Sequence, residues 1–342
     1  MSSTFTNLHQ HSDYSIGDGY CTIDEIIQRG KELGYEAVAL TDHGTTTGLY
    51  AFYHKCKQSG IKPILGMEGY FCPEPEMKSG ENAHIILLAK DIDGLRNLYR
   101  LSTAAAHQFY RKPRIGIKDL EMYHEGLICT TACIAGFFNR YPDVVDSIAK
   151  LFGDDFYMEV QPHEFREQKE YNKRVYDYAV AHGYNVLVTN DSHYSSPADV
   201  TYHARWVSIR GTGDAYSSND FYMMDGEEVT QRMMRDGFSE EQVSAMIQEA
   251  SNIVNKCNVE IPEGGDNYPK YNTENPERQV RDWCNEGWKR LHMGTRPNKN
   301  DYVVRVEREL PVLRRCDYLN YLCIIKDIMG YCNEHGILTG LG

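Results

Sequence analysis

The chain has 342 residues, 41% of them hydrophobic, and a formal net charge of −13 at pH 7. That length suits one large α/β domain, or one domain and part of another, and no stretch approaches the roughly 18–20 apolar residues of a membrane-spanning helix. The acidic balance argues against nonspecific wrapping of nucleic acid, which draws on clustered Lys and Arg; it leaves room for a nucleic-acid enzyme whose metals bring local positive charge.

The N-terminus, MSSTFTNLHQ, shows no basic region followed by an apolar run, so the expected location is the cytoplasm. The ten cysteines include no C-x-x-C pair and no regular framework, which fits reduced thiols. In chain order, the first predicted strand is "FTNLHQH", ending on His9 and His11. Residues two apart on a strand face the same way, so the two imidazoles stand side by side while Gln10 faces the opposite side. "TIDEIIQRGKELG" follows as a helix, opened by a Thr22–Glu25 capping box and stopped at Gly34. The rhythm continues with the strand "EAVALTDH", the helical "GLYAFYHKCKQSG", the strand "KPILGMEGYF", a polar loop near 73–83, "HIILLAK" and the helical "LRNLYRLSTAAAHQ". "EGLICTTACI", "FYMEVQPH", a helix over 164–183 and "NVLVTNDSHY" complete it. Apolar strands alternating with helices predict parallel βαβ units, here numerous enough to close as a β/α barrel.

A tyrosine-rich stretch lies around 194–222, and the alternation is lost beyond about 215: residues 226–257 read as helical, 259–276 as a Pro-, Gly- and Asn-rich linker, and 277–335 as helical again. Two domains are therefore expected, 1–270 and 271–342.

Metal-ligand residue types gather at the strand ends. His9, His11, Asp18, His43, Glu68, Cys133, Asp191 and His193 fall at or just beyond the C-terminal ends of predicted strands, where a parallel barrel builds its site. His84 is the exception, because it opens "HIILLAK". Each residue alone has an ordinary explanation: a hydrogen-bonded core histidine, a buried small thiol at Cys133, a turn aspartate at Asp191, a solvated Glu68. Two alternate-spaced pairs at distant strand ends, with further donors at the same end, are harder to explain independently. His54, His107, His124, His163, His182, His203, His292 and His335 keep the ordinary reading; His163 is the weakest case, since "VQPH" also ends a strand. Nine donors exceed one tetrahedral site and predict two or three divalent metals; imidazoles and carboxylates suit zinc, manganese or iron, and the thiolate favours zinc. Closely spaced metals of this kind serve phosphoester hydrolysis.

"LHQHSDYS", "GDG", "LTDHG", "GMEGY", "HIILLAK", "ACIAG" and "TNDSHY" together resemble, in order and spacing over roughly 5–215, the polymerase and histidinol phosphatase (PHP) domain at the start of the bacterial C-family DNA polymerase III alpha subunit. "YLCIIKDIMGYCNEHGILTGLG", 321–342, resembles the segment by which that family enters its palm, and Gly342 falls about where the family's Gly-Arg-Gly-Ser loop would continue. The resemblance implies a distorted barrel with a three-metal centre acting as a 3′-5′ proofreading exonuclease, and all nine donors match ligand positions. Members that have lost several ligands keep the domain as a structural element; this chain shows no such loss, and its mild departures, such as Asp13 where glutamate is common, avoid the ligands. The implied partners are a DNA 3′ end, the remainder of the polymerase and other replisome subunits, with no membrane. "RKPR", with Arg111, Lys112 and Arg114, is the compact basic cluster expected to guide the strand, its plain alternative being a solvated loop. The chain alone is not expected to polymerise DNA. The competing expectations are a free-standing PHP phosphoesterase acting on a small monoester, with 277–342 dispensable, and a metal-binding PHP domain whose role is structural.

Overall fold

A computed structural model describes residues 5–78, 80–209, 219–265 and 269–340. Part of the tyrosine-rich stretch, 210–218, and the last two residues of the palm-like segment lie outside the described residues. Contacts divide the chain into two units, one ending at Ile261 and the other beginning at Pro262.

Among the described residues, the first unit is built on seven strands: β1 (Ala37–Leu40), β2 (Lys62–Phe71), β3 (Ala83–Ala89), β4 (Arg114–Ile115), β5 (Leu127–Thr130), β6 (Phe156–Val160) and β7 (Asn185–Val188). They pair in the order β1-β2-β3-β5-β6-β7, with the short β4 also on β2. The sheet is mostly parallel, as the alternation of strands and helices predicts. The exception is β3, antiparallel to both β2 and β5. Only residues 72–82 join β2 to β3, too few for the helical crossover that a parallel pair requires.

Among its described residues, the stretch predicted as a first strand makes a single isolated bridge instead of a regular strand. Gln10 bridges Ser192 beyond β7; on its other side Thr41 N donates to Gln10 O at 2.9 Å and Gln10 N donates to Thr41 Oγ1 at 2.8 Å. One extended segment thus spans the two edges of the curled sheet, which satisfies backbone groups that an open edge would leave unpaired.

Within the curl, Ala37, Ala39, Ile64, Ile86, Leu88, Ile128, Tyr157 and Leu187 form one buried cluster, plugged from below by Ala250, Ile253 and Val254 of the helix Glu240–Lys256. The alternate residues, among them Val38, Leu40, Leu65, Met67, Ile85 and Leu87, face outward into a larger core with the surrounding helices. The helix Ile23–Glu32 carries the predicted Thr22–Glu25 capping box, and Gly34 beyond it sits at φ +73°, a left-handed conformation that costs glycine least. The predicted helical 226–257 is two helices, Gly226–Arg235 and Glu240–Lys256, opened by the side-chain caps Asp225 and Ser239.

The second unit packs three helices, Pro276–Arg290, Lys299–Arg315 and Leu319–Glu334, around Val280, Leu310, Leu319 and Cys323. Glu277 accepts hydrogen bonds from Arg314 across two of them.

Candidate metal centre

The period-two pleat that lines the inside of the curl with apolar side chains also sets the donors. In β1 the inward series Ala37, Ala39 continues past the strand to His43; in β2, Ile64 leads to Glu68; in β7, Leu187 leads to Asp191 and His193. Reversal of β3 makes its inward series run Leu88, Ile86, His84 toward that rim, so His84, which opens its strand, pairs with Tyr70 near the end of β2. Asp191 adopts φ +44° and Ala132, beside Cys133, φ +57°. Side chains with a Cβ rarely take this conformation, and it recurs where a site holds backbone in place.

All nine sequence-predicted donors are brought to this rim, with Glu68 at the centre and fully buried. Its Oε1 lies 3.3 Å from His9 Nε2, 2.7 Å from His84 Nδ1 and 3.9 Å from Cys133 Sγ; its Oε2 lies 3.2 Å from His11 Nε2 and 2.6 Å from His43 Nδ1. Asp191 Oδ1 stands 3.2 Å from both His9 Nε2 and His11 Nε2. Asp18 faces His43 Nε2 at 3.1 Å and His193 Nε2 at 3.9 Å. Among the described residues, three overlapping groups have donor atoms within 4.8 Å of one another: His9, His11 and Asp191; His11, His43 and His193; and His43, Glu68 and His84. His9, His11 and Glu68 are sealed, whereas the side chains of His43, Asp18 and His84 are 11%, 19% and 19% exposed, which leaves the centre open on their side.

Hydrogen bonds behind the rings fix which nitrogen looks inward. His9 Nδ1 contacts Glu159 Oε1 at 2.7 Å, an acceptor-only carboxylate, so Nδ1 keeps its proton and Nε2 is the nitrogen left to a cation that displaces the second one. His193 Nδ1 donates to Asp191 O at 2.9 Å, which likewise leaves Nε2 to a cation. His11 Nδ1 reaches Ser15 Oγ at 3.0 Å, whose own hydrogen goes to Asp42 Oδ1 at 2.7 Å. Three imidazoles are thereby preset as Nε2 ligands, the outer-shell arrangement typical of metal-bound histidine.

The sequence reading missed Glu159, Ser15 and Asp42. Glu159 is buried and takes hydrogen bonds from Thr130 Oγ1, Thr189 Oγ1 (2.5 Å) and Gln161 Nε2 (2.9 Å) besides His9. Its signal was available: a carboxylate inside the apolar run "FYMEV" must be partnered if that run is buried. Glu159→Gln, which keeps the shape and removes the charge, is expected to weaken metal affinity about 10- to 100-fold. Competition against a chromophoric chelator measures this, and unchanged affinity would remove Glu159 from the support of His9.

Electrostatically the protein alone is an imidazole–carboxylate cluster. Burial disfavours a charged His43, yet Glu68 and Asp18 outweigh it and hold the pKa up at about 10. His9 is raised despite its burial by Asp191, Glu159 and Glu68, and His11 is raised despite burial and the neighbouring His43. Burial, reinforced by His11, pushes His193 down to about 3. Burial also opposes ionisation of Glu68, but the imidazoles of His84, His43 and His9 hold it well below the usual carboxylate range. Burial, then Asp191 and Glu68, push the Cys133 thiol up. His9 Nε2, His11 Nε2, Glu68 Oε2 and Asp191 Oδ1 are buried and point into the cluster with no hydrogen-bond partner. Buried polar atoms of this kind need a counterpart, and several divalent cations fit this donor set.

The basic cluster needs correction. Arg114 is 1% exposed and turned inward, donating to Asn82 Oδ1 at 2.8 Å and Gly80 O at 3.1 Å, so it ties down the loop before β3 and offers no surface to a strand. Arg111 is exposed beside Tyr110. Lys112 donates to Tyr70 Oη at 3.1 Å, and that ring lies alongside His43 with centroids 5.8 Å apart, which puts Lys112 near the centre's open side. His163 stands apart from the nine, with Nδ1 3.2 Å from Asp220 and its ring stacked on Phe221. Gln10 reaches toward Cys21 Sγ and takes no place among the donors.

A curled, mostly parallel α/β sheet carrying imidazoles and carboxylates on the inner rim at its strand ends presents side-chain clusters that could hold metal ions. Residues 7–163 match the family model of the PHP domain. It is 32% identical over its whole length to DNA polymerase III subunit alpha of Aquifex aeolicus, covering 32% of that protein. It is 33% identical over 99% of its length to the same subunit of Borreliella burgdorferi, covering 31%. The chain thus spans about a third of these curated relatives. Among solved structures, a metal-dependent phosphoesterase from Bifidobacterium adolescentis aligns with a TM-score of 0.40 and 15% identity, covering 68% of this chain and 96% of that one.

Proposed function

We propose that this chain is the N-terminal part of a cytoplasmic DNA polymerase III alpha subunit whose PHP centre holds two or three divalent metals and hydrolyses the terminal phosphodiester at a DNA 3′ end. The observation that carries this is Glu68, one buried carboxylate whose two oxygens serve two different sets of imidazoles. A carboxylate so shared would help to hold more than one ion, and neighbouring ions are what phosphoryl chemistry uses. His9, His11 and Asp191, together with Glu68, would hold one ion; Glu68 again, with His43, His84 and Cys133, a second; Asp18 and His193, with His11, the third. Zinc suits the Cys133 thiolate best, with manganese or iron accepted by the other donors. Metals bound there supply hydroxide near neutral pH and neutralise charge developing on the phosphate oxygens. The buried residues fix the geometry, and the partly exposed edge formed by Asp18, His43 and His84 admits the phosphodiester.

Similarity to alpha subunits runs through the second unit as well, which favours a polymerase part over a free-standing monoesterase. On this reading the remainder of the polymerase and other replisome subunits are the partners, and residues 271–342 form a helical segment at the entrance to the palm. The test is metal content together with release of 3′-terminal nucleotides, wild type against His9→Ala. The variant is expected to lose metal and to slow release at least about a hundredfold. A fully loaded wild-type chain that releases no nucleotide would leave the domain a structural metal site.

A further inference from the structure

The loop from Ser12 to Cys21 carries Asp18 to the centre and doubles back tightly: a Cβ on Gly19 would stand 1.9 Å from Ser12 O. The next residue, Tyr20, donates its backbone N–H to His193 O at 2.8 Å. The helix Val200–Ser208 docks on that loop through His203, a buried residue whose Nε2 donates to Asp18 O at 3.1 Å and whose ring lies 6.0 Å from that of His193. Tyr20 thus stands two residues beyond Asp18, and Tyr202 immediately precedes the residue that anchors Asp18. Their rings lie 6.3 Å apart with only 8° between planes, and they are 37% and 54% exposed. Ile16 in the same loop is 80% exposed.

Aromatic side chains ordinarily repay their ordering by burial. Here two remain in water with aligned faces, beside the Asp18 and His193 edge of a centre suited to phosphate. We propose that Tyr20 and Tyr202 form a stacking platform for the base of the terminal nucleotide, a proposal that rests on the phosphodiester reading above. A ring parallel to one tyrosine is parallel to both, so a base laid on either extends one stack. Stacking tolerates every base, because each has a π face, and the platform therefore selects nucleotides over other phosphoesters without selecting sequence.

Two single-stranded DNA probes test this on the metal-loaded chain, one ending in 2-aminopurine and one in an abasic site, each with a phosphorothioate at its last linkage to resist cutting. Wild type is expected to quench the 2-aminopurine and to bind its end about tenfold tighter than the abasic end. Tyr20→Ala with Tyr202→Ala should erase that difference, and Tyr202→Phe should keep it. Equal binding of both ends by wild type overturns the platform. So does a double variant that weakens both probes alike, the signature of general damage to the loop. Metal-dependent release of the abasic terminus from an unmodified strand would show the hydrolytic reading standing where the platform had failed.

Discussion

Glu68→Gln is expected to lower phosphodiester hydrolysis by about a thousandfold and to leave the chain short of metal, the largest effect of any single substitution at the centre. The magnitude follows from losing several kcal/mol of transition-state charge stabilisation at ~1.4 kcal/mol per decade of rate. The substitution preserves volume in a position with no exposure, so it removes charge and one oxygen without opening a cavity. One amide nitrogen must then face either the set of His9, His84 and Cys133 or the set of His11 and His43, and an amide nitrogen is a donor that cannot bind a cation. Melting temperature supplies the independent readout. A chelator should lower it in wild type, since ligands that bind only the folded state stabilise by mass action, by about 4 kcal/mol at a thousand times Kd. In Glu68→Gln the same chelator should change little. Full metal occupancy with wild-type rates in the variant would refute the bridging role.

How much of this could be read from the sequence differs by residue, for physical reasons. His9 with His11 and Asp191 with His193 were legible because period-two spacing is local, and a strand end presents both side chains to one face whatever the fold. His84 looked misplaced because strand direction is a tertiary property; the short 72–82 connection was the available sign that β3 turns back and brings its first residues to the common rim. Glu159 was passed over although a carboxylate in a buried strand signals a partner, because its partner His9 lies 150 residues away. Arg114 shows the opposite error. In sequence it belongs to a basic run, but on β4 alternate residues face inward, and its guanidinium serves the 80–82 loop. The pairing of Tyr20 with Tyr202 has no local signature, since it depends on the helix Val200–Ser208 docking on a loop about 180 residues earlier.

Metal loading should depend steeply on pH, with affinity rising as pH rises. In the metal-free protein the carboxylates of Glu68, Asp18, Asp191 and Glu159 keep protons on His9, His11 and His43, the last up to about pH 10, while His193, held at about 3, is already neutral. A cation must displace those protons to reach the nitrogens. Each displaced proton makes apparent affinity fall tenfold per pH unit below the corresponding pKa, so three would give about a thousandfold per unit. For the metal-free fold the sign is opposite. A raised His43 stabilises the folded chain fully below its unfolded value of 6.5, and that contribution is lost as pH climbs toward about 10. Chelated protein should therefore lose stability over the interval in which loaded protein gains affinity, and the stabilisation given by metal should widen from pH 6.5 to 10. Calorimetric titration with zinc in two buffers of different ionisation enthalpy counts the protons released. Release of none near pH 7 would mean that the imidazoles are neutral before metal arrives and that the carboxylates around Glu68 are compensated by other means.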